Sequence, residues 1–294
     1  MNKLTLKLIT LCSLLAMPVV VSAIDGGTIE ALQMPAWVVH DGVKSPLKPG
    51  EAINSGDIVS TGQSARVLIR LEEGSLVKLG ENGELNLNTI QPPEKTEGVF
   101  AGLLKVARGA FRFTTTNLGK NRKRDVKVKI GAVTAGIRGT DIWGRSNSEK
   151  DILCLIEGKI TAQREGENEF SMEDALSFYI VPKGKPALPV APVPEEKLAR
   201  WAQETETQTG LGVLTTDGRW AVNMMSLQNV NAAGKLQQKL NDAGYATQVQ
   251  ETLINEQNWL RLRIEGFASS EDARSFASSI DNQFGIQQPW IVKF

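Results

Sequence analysis

A short segment near the end of the chain alternates aliphatic side chains with side chains that can bind polar ligands. Within residues 259–264 the odd positions carry an indole and two guanidinium groups, and the even positions carry Leu, Leu and Ile. Because successive side chains of a strand point to opposite faces, the pattern predicts one aliphatic face and one face with an aromatic ring and two cations. Sugar rings pack C–H patches on indole faces, and their hydroxyl and acetamido groups need donors such as Arg and Asn. The chemistry predicted for this face is carbohydrate binding.

The strands and helices that must position this face occur as the same pattern in two consecutive copies. A strand, a helical stretch, a glycine and a second strand occupy residues 220–250 and again residues 259–294. Gly244 and Gly285 are predicted to end the two helices in the left-handed conformation. The apolar faces of the two helices are predicted to comprise Ala233, Leu236, Leu240 and Ala243, and Ala273, Phe276, Ala277, Ile280 and Phe284. Two helices on one face of a four-stranded sheet leave the other face uncovered, so we expect an α+β βαββαβ (ferredoxin-like) domain with a free sheet face.

The order of these features resembles the SPOR domain. The resemblance is carried by Trp-Ala-Val-Asn at 220–223, Gly-Tyr at 244–245, Leu-Arg-Leu-Arg-Ile at 260–264 and Gly-Phe-Ala-Ser-Ser-Glu-Asp-Ala at 266–273. It implies a C-terminal domain, residues 218–294, that binds peptidoglycan and prefers glycan strands stripped of their stem peptides, as found at bacterial division septa.

The resemblance also implies where the glycan lies, because the ligand of this family occupies the exposed sheet face. Carried over to this chain, it places Asn223, Ser226, Trp259 and Trp290 in the peptidoglycan-binding site, and the strand alternation adds Arg261. Asn223 stands where the family usually has Gln, which shortens the amide arm by one methylene. The alternative is that the tryptophans fill the core or flank strand ends and that the arginines are solvated; for Trp220 we favour the core. With seven basic and seven acidic residues the domain is electrically balanced, which argues against a nucleic-acid partner.

The first residues have the composition of an export signal. Lys3 and Lys7 precede an apolar run from Leu8 to Val21, and Ser22-Ala23 supplies a small-residue exit. We predict a signal peptide over residues 1–23, cleavage after Ala23, a periplasmic location and no stable membrane span after cleavage, with an uncleaved anchor as the alternative. Without Lys3 and Lys7 the chain has 31 basic and 33 acidic residues, which predicts no polyanionic partner.

Catalytic and metal chemistry have little support in the sequence. Cys154 lies in an apolar run, which predicts a buried, inert thiol, and it is the one cysteine left after cleavage. His40, the single histidine, lies beside Asp41-Gly42 and is predicted at a surface turn. A zinc site built on several histidines is excluded. We therefore expect no enzyme activity, no catalytic residues, no metal and no cofactor.

The middle of the chain consists of short alternating strands separated by turns. Turn signals recur every 8 to 12 residues or so from Gly56 to Val181, which predicts an all-β N-terminal domain, residues 24–181, built as a sandwich or a rolled, solenoid-like sheet. The segments Gly-Asp-Ile-Val-Ser-Thr-Gly at 56–62, Glu-Gly-Ser at 73–75, Val-Thr-Ala-Gly-Ile-Arg-Gly-Thr-Asp at 133–141 and Ile-Glu-Gly at 156–158 resemble the FecR domain, with a core motif at 56–163. The resemblance implies an exported β module; some members transduce signals, and others are fused to glycan-binding or envelope domains.

Three further segments carry structural predictions. Arg138 and Asp141 are predicted to form a paired structural charge at a tight strand crossing. The basic run 120–129 is predicted in a long hairpin loop. Residues 182–217 are predicted to be a proline-rich linker that includes a short helix and holds the C-terminal domain away from the β domain.

Together these patterns predict an exported envelope protein that docks on peptidoglycan glycan strands, with a septal role implied by the resemblance. The FecR-like domain is expected to contact the wall or another protein of the envelope or division machinery. Two alternatives remain open: a FecR-type periplasmic signal transducer and a glycan hydrolase, which would need a carboxylate pair in the β domain.

Overall fold

The computed structural model of the chain describes residues 26–91, 99–115 and 123–294. The predicted signal peptide and its cleavage site lie outside the described residues. The strands of the N-terminal part are β1 (Gly27–Gln33), β2 (Ala36–His40), β3 (Val43–Pro46), β4 (Ala52–Ile53), β5 (Ile58–Thr61), β6 (Arg66–Leu71), β7 (Leu76–Leu79), β8 (Glu84–Gln91), β9 (Val99–Thr114), β10 (Lys123–Ile130), β11 (Val133–Ile137), β12 (Asp141–Ser146), β13 (Lys150–Glu157), β14 (Ile160–Arg164), β15 (Phe170–Met172), β16 (Ser177–Pro182) and β17 (Ala191–Pro192).

These strands form two sheets that face each other across one apolar core. One sheet has the order β1-β6-β7-β9-β12-β13-β16-β17, and the other has the order β3-β2-β5-β8-β9-β10-β11-β14-β15. The long strand β9 belongs to both sheets and changes from one to the other near Gly109, where φ is +88°. A Cβ at Gly109 would lie 2.5 Å from the Cα of Gly83. Both the positive φ and this close approach of the two backbones therefore require glycine at the crossing. The predicted all-β sandwich or rolled sheet is confirmed.

The core follows from period-two alternation within each strand. In β6, Val67, Ile69 and Leu71 point inward and are buried, while Arg70 is exposed. In β10, Val126 and its alternate neighbours are buried in the same way. The basic run was predicted in a loop, but its residues from Lys123 onward form this strand, because the alternate valines give the strand an apolar face despite the lysines between them.

The C-terminal part contains five strands and two helices, and its buried apolar residues are continuous with the core of the β domain. They are β18 (Val213–Thr215), β19 (Trp220–Leu227), α2 (Val230–Asp242), β20 (Gln248–Ile254), β21 (Gln257–Phe267), α3 (Ser270–Ile280) and β22 (Trp290–Lys293), and α1 (Glu195–Thr205) precedes them. The sheet order is β20-β21-β19-β22, antiparallel throughout, and both α2 and α3 pack against one face of it. This is the predicted α+β, ferredoxin-like architecture.

The positions at which the helices end agree only in part with those predicted from the sequence. Gly244, at φ +86°, follows α2 as predicted. Helix α3 ends at Ile280, and the left-handed residue that follows it is Asn282, at φ +62°, so the prediction that Gly285 stops this helix was wrong. Phe284 lies beyond the helix, yet its ring still packs on Tyr245, with centroids 5.9 Å apart.

The proline-rich segment is not a free spacer. Ala191 in β17 pairs with Phe178 in β16, and the backbone N–H of Leu188 donates to the carbonyl of Ile180 at 2.9 Å. Helix α1 then packs on the β domain, where the indoles of Trp201 and Trp143 stack with centroids 4.5 Å apart. The segment lies against the β domain because its apolar residues and helix α1 cover an apolar surface there.

The two domains are joined by backbone hydrogen bonds, so the expectation that the C-terminal domain is held away from the β domain was wrong. Strand β18 pairs with β1, with Leu214 opposite Leu32, and Leu214 also pairs with Phe267 of β21. The carboxylate of Asp272 is fully buried and accepts hydrogen bonds from three backbone N–H groups at and just before the start of β18, those of Gly210, Gly212 and Val213, at 2.8, 3.2 and 2.9 Å. Within the described residues, no helix is long and apolar enough to cross a membrane.

Candidate functional site

The strand register brings the predicted site residues together on the face of the C-terminal sheet that lies opposite the helices. Asn223 of β19 lies directly between Arg263 of β21 and Trp290 of β22, and Ser226 pairs with Arg261. Directly paired residues share a face of the sheet. We call this surface, which comprises these five residues and Trp259, the open face.

A β-bulge is what allows Asn223 and Ser226 to share the open face. Residues three apart in a regular strand point to opposite sides. The register of β19 against β21 shifts between Asn223 and Met225, so that one extra residue, Met224, is inserted and points into the core, where it is 1% exposed. The bulge therefore returns Ser226 to the side of Asn223.

The aromatic groups of the open face are accessible to a ligand. Trp290 is 41% exposed, and the guanidinium carbon of Arg261 lies 5.5 Å from the centre of its ring. Trp259 is half-buried and pairs with Thr252 near the far end of β21. From the strand spacing and rise, the Cα atoms of the two tryptophans are roughly 16 Å apart along a diagonal of the sheet. Neither ring lies beneath the helices, whereas Trp220 pairs with Phe267 and packs against the core, as favoured from the sequence.

Two polar groups at the centre of the open face are buried and incompletely hydrogen-bonded. Asn223 is 1% exposed, and its Oδ1 accepts no hydrogen bond from the described part of the chain. Arg263 is 7% exposed; its Nη1 donates to Gln250 Oε1 at 2.6 Å and its Nε lies 3.0 Å from Glu265 Oε1, but its Nη2 has no hydrogen-bond partner among the described residues. Leaving such a group unpaired costs about 1–3 kcal/mol. A ligand that pairs with these groups recovers part of that free energy.

Sequence reasoning placed Arg263 on this face without assigning it to the site, and it did not find Gln250 or Phe294. Gln250 approaches Arg263 from β20 diagonally across the β20–β21 pair, and the ring of Phe294 lies 5.6 Å from the guanidinium carbon of Arg263. The alternation in residues 259–265 was a usable signal for Arg263. The positions of Gln250 and Phe294 depend on strand register and on the return of the last residues to the sheet. No local sequence pattern reveals either.

Comparison with protein families identifies both domains. A family model described as the SPOR domain matches residues 216–293, and one described as FecR protein matches residues 57–161. The chain carries a FecR domain followed by a SPOR domain. These domains are binding or regulatory modules.

Other comparisons add less. No curated protein matches the chain. Two crystal structures of a proposed anti-sigma factor from Parabacteroides distasonis align with it at a TM-score of 0.40 each. One, at 2.50 Å resolution, is 13% identical and covers 76% of this chain and 89% of its own; the other, at 1.65 Å, is 12% identical and covers 81% and 99%.

The charged groups of the FecR domain form a structural network. Asp141 was predicted to pair with Arg138, but Arg138 is exposed, and Asp141 instead binds Arg112, whose Nη2 and Nε donate to it at 2.6 and 2.9 Å. The reason is topological: β12 lies beside β9, which brings Arg112 next to Asp141, while Gly139, at φ +74°, turns Arg138 away. The hydrogen bond to Asp141 raises the pKa of Arg112. A paired structural charge is present, but its cation comes from another strand.

The remaining side chains of the FecR domain that could be reactive are buried or held by hydrogen bonds. Cys154 is fully buried, and burial raises the pKa of its thiol to about 12. His40 is the last residue of β2, directly before the turn at Asp41-Gly42, and it is half-exposed, with Nδ1 2.6 Å from Oδ1 of the buried Asp57. Among the described residues, no three His, Cys, Asp or Glu side chains are arranged to hold a metal ion.

Proposed function

We propose that this chain is an exported cell-envelope protein that binds peptidoglycan glycan strands on the open face of its SPOR domain. The observation that carries the proposal is the combination of an exposed indole, Trp290, with the two buried and under-bonded polar groups of Asn223 and Arg263. An aromatic platform beside an acceptor and a cationic donor suits a sugar ring that carries hydroxyl and acetamido groups.

Each side chain has a distinct role in this proposal. The ring of Trp290 packs against the C–H face of a pyranose, and Arg261 holds that ring in place through its cation–π contact. Asn223 Oδ1 accepts from a sugar hydroxyl, and Arg263 Nη2 donates to an acetamido carbonyl. Ser226 and Trp259 extend the contact along the strands toward the next sugar.

The rest of the chain serves this binding as a scaffold. We propose that the FecR domain contacts the wall or a partner protein, and that residues 1–23 direct export to the periplasm, where glycan strands without stem peptides would concentrate the protein at septa. The domain boundaries proposed are 24–181 and 218–294, with 182–217 between them. N-terminal sequencing of the exported protein tests the export step, since cleavage after Ala23 leaves Ile24 as the first residue.

Co-sedimentation of the full chain with purified sacculi tests the binding. We expect the protein to pellet with sacculi, and to pellet more completely after an amidase has removed the stem peptides. An Asn223→Leu variant, which replaces the unpaired amide with an apolar group of similar size, should fold and lose sedimentation, whereas Leu253→Ala, at an exposed position of the β20–β21 hairpin, should retain it. If the unaltered chain stays in the supernatant with both kinds of sacculi, the proposal fails.

A further inference from the structure

The FecR domain contains a second cleft that is unrelated to the open face. It has a volume of about 390 Å³ and lies where β9 changes sheets, between the start of β6, the β12–β13 turn and helix α1. Three arginines line it, Arg66, Arg108 and Arg145, together with Glu81 and Glu204. A cleft of this size accommodates a small ligand of a few residues.

Most of these charges are already engaged. Arg145 forms an ion pair with Glu204, and Glu81 accepts a hydrogen bond from the backbone N–H of Ser64 at 2.9 Å. Arg108 is 62% exposed and lies 3.7 Å from Glu84, a loose contact that leaves it free to move. The two glutamates of the cleft are therefore engaged by other groups, and they act on Arg66 only at longer range.

Arg66 is the arginine of the cleft whose guanidinium is partly buried and incompletely hydrogen-bonded. Its Nη1 donates to the carbonyl of the adjacent Ala65 at 2.8 Å, but its buried Nε has no hydrogen-bond partner, and no carboxylate of the described residues lies within ion-pair distance of it. Burial lowers the pKa of this guanidinium, and the nearby charges of Glu81 and Glu204 offset part of that effect. A buried, unpaired donor beside a cleft is a position for an anionic ligand.

We propose that this cleft binds the free carboxylate of a short peptide, with Arg66 as the primary contact and Arg108 closing over it. The planar guanidinium fork matches a carboxylate in a bidentate pair. The lining carries three cations and two anions, so it favours a singly charged ligand over a phosphate dianion, which Glu81 and Glu204 would repel. The proposal stands on contacts of the FecR domain and is independent of glycan binding.

NMR of the full chain with ¹⁵N-labelled arginine tests the proposal directly, because each Nε–H group gives its own signal. The probes are N-acetyl-Ala-Ala with a free carboxylate, the same peptide with a C-terminal amide, and inorganic phosphate. We expect the Arg66 Nε–H signal, assigned by its loss in Arg66→Gln, to shift with the carboxylate peptide, and the amide to bind at least about tenfold more weakly. Arg66→Lys, which keeps the charge without the fork, should also weaken binding, whereas the exposed control Arg138→Gln should not.

Three results would overturn the proposal. They are an Arg66 signal that does not respond to the carboxylate peptide, an equal response to the amide, or an equal response to phosphate. Binding is read on the Arg66 signal of the unaltered protein, and a folded Arg66→Gln variant is needed only to assign that signal.

Discussion

Replacement of Trp290 by alanine tests the open face most sharply, and its effect can be estimated from the structure. An indole side chain presents up to about 250 Å², so an exposed fraction of 41% leaves roughly 100 Å² for a ligand to cover. At about 25 cal/mol per Å², full coverage contributes about 2.5 kcal/mol, which corresponds to an affinity change of about 70-fold. Partial coverage by one sugar ring gives a smaller loss, on the order of tenfold.

The variant is expected to remain folded. Trp290 stands at the first position of the edge strand β22, where it makes a cation–π contact with Arg261, worth about 0.5–1 kcal/mol at an exposed site. Because more than half of its surface is also covered by the domain, the free energy of unfolding must be measured alongside binding.

The assay is a binding isotherm of the full chain on amidase-treated sacculi, with urea unfolding of the same preparations. Leu253→Ala is the matched control, since Leu253 is 68% exposed in the same domain but alternates away from the open face. A folded Trp290→Ala variant that binds sacculi as tightly as the unaltered chain would refute the assignment of this indole to the site.

Three further predictions concern the FecR domain. Trp201→Ala removes the indole that stacks on Trp143 and should lower the free energy of unfolding by about 3–5 kcal/mol in urea titrations; a loss below about 1 kcal/mol would contradict the role given to α1. The hydrogen bond to Asp57 raises the pKa of His40 above its ordinary value of 6.5, so its stabilisation is fully present below pH 6.5 and is lost as pH rises through the higher folded value. The melting temperature should show this loss, and His40→Gln should remove it; identical pH profiles would contradict the pairing. Cys154, buried with a pKa of about 12, should not react with a thiol reagent at about pH 8 until the protein is unfolded, and rapid labelling of the native protein would show that the strand opens.

The sequence predicted those features that depend on local periodicity. The alternation in residues 259–264 predicted a strand with one aliphatic and one polar face, and the register places Asn223, Ser226, Arg261 and Trp290 together on the polar face. The apolar faces of the two helices were predicted as well, except that Ala243 and Phe284 lie beyond the helix ends.

The features that the sequence did not predict are set by contacts between distant segments. The cation that pairs with Asp141 is Arg112, 29 residues earlier, because strand order and not sequence spacing brings them together. The docking of the two domains depends on Asp272 and on β18, a strand of three residues whose pairing partner lies near the start of the chain. Short segments of this kind have no periodicity, so the proline-rich stretch before them indicated an extended, semi-rigid spacer.

Strand β18 has a consequence for how the protein can be divided. A fragment that begins at residue 218 loses Val213–Thr215 and the three backbone N–H groups that donate to Asp272, so that among the described contacts this carboxylate keeps the hydroxyl of Ser269 as its donor. The complementary fragment, which ends at residue 217, keeps β18 paired with β1 but loses the pairing of Leu214 with Phe267 of β21. A cut at this point therefore separates β18 from the domain whose buried carboxylate it satisfies, and a force applied to the C-terminal domain would reach β1 through the β18 ladder.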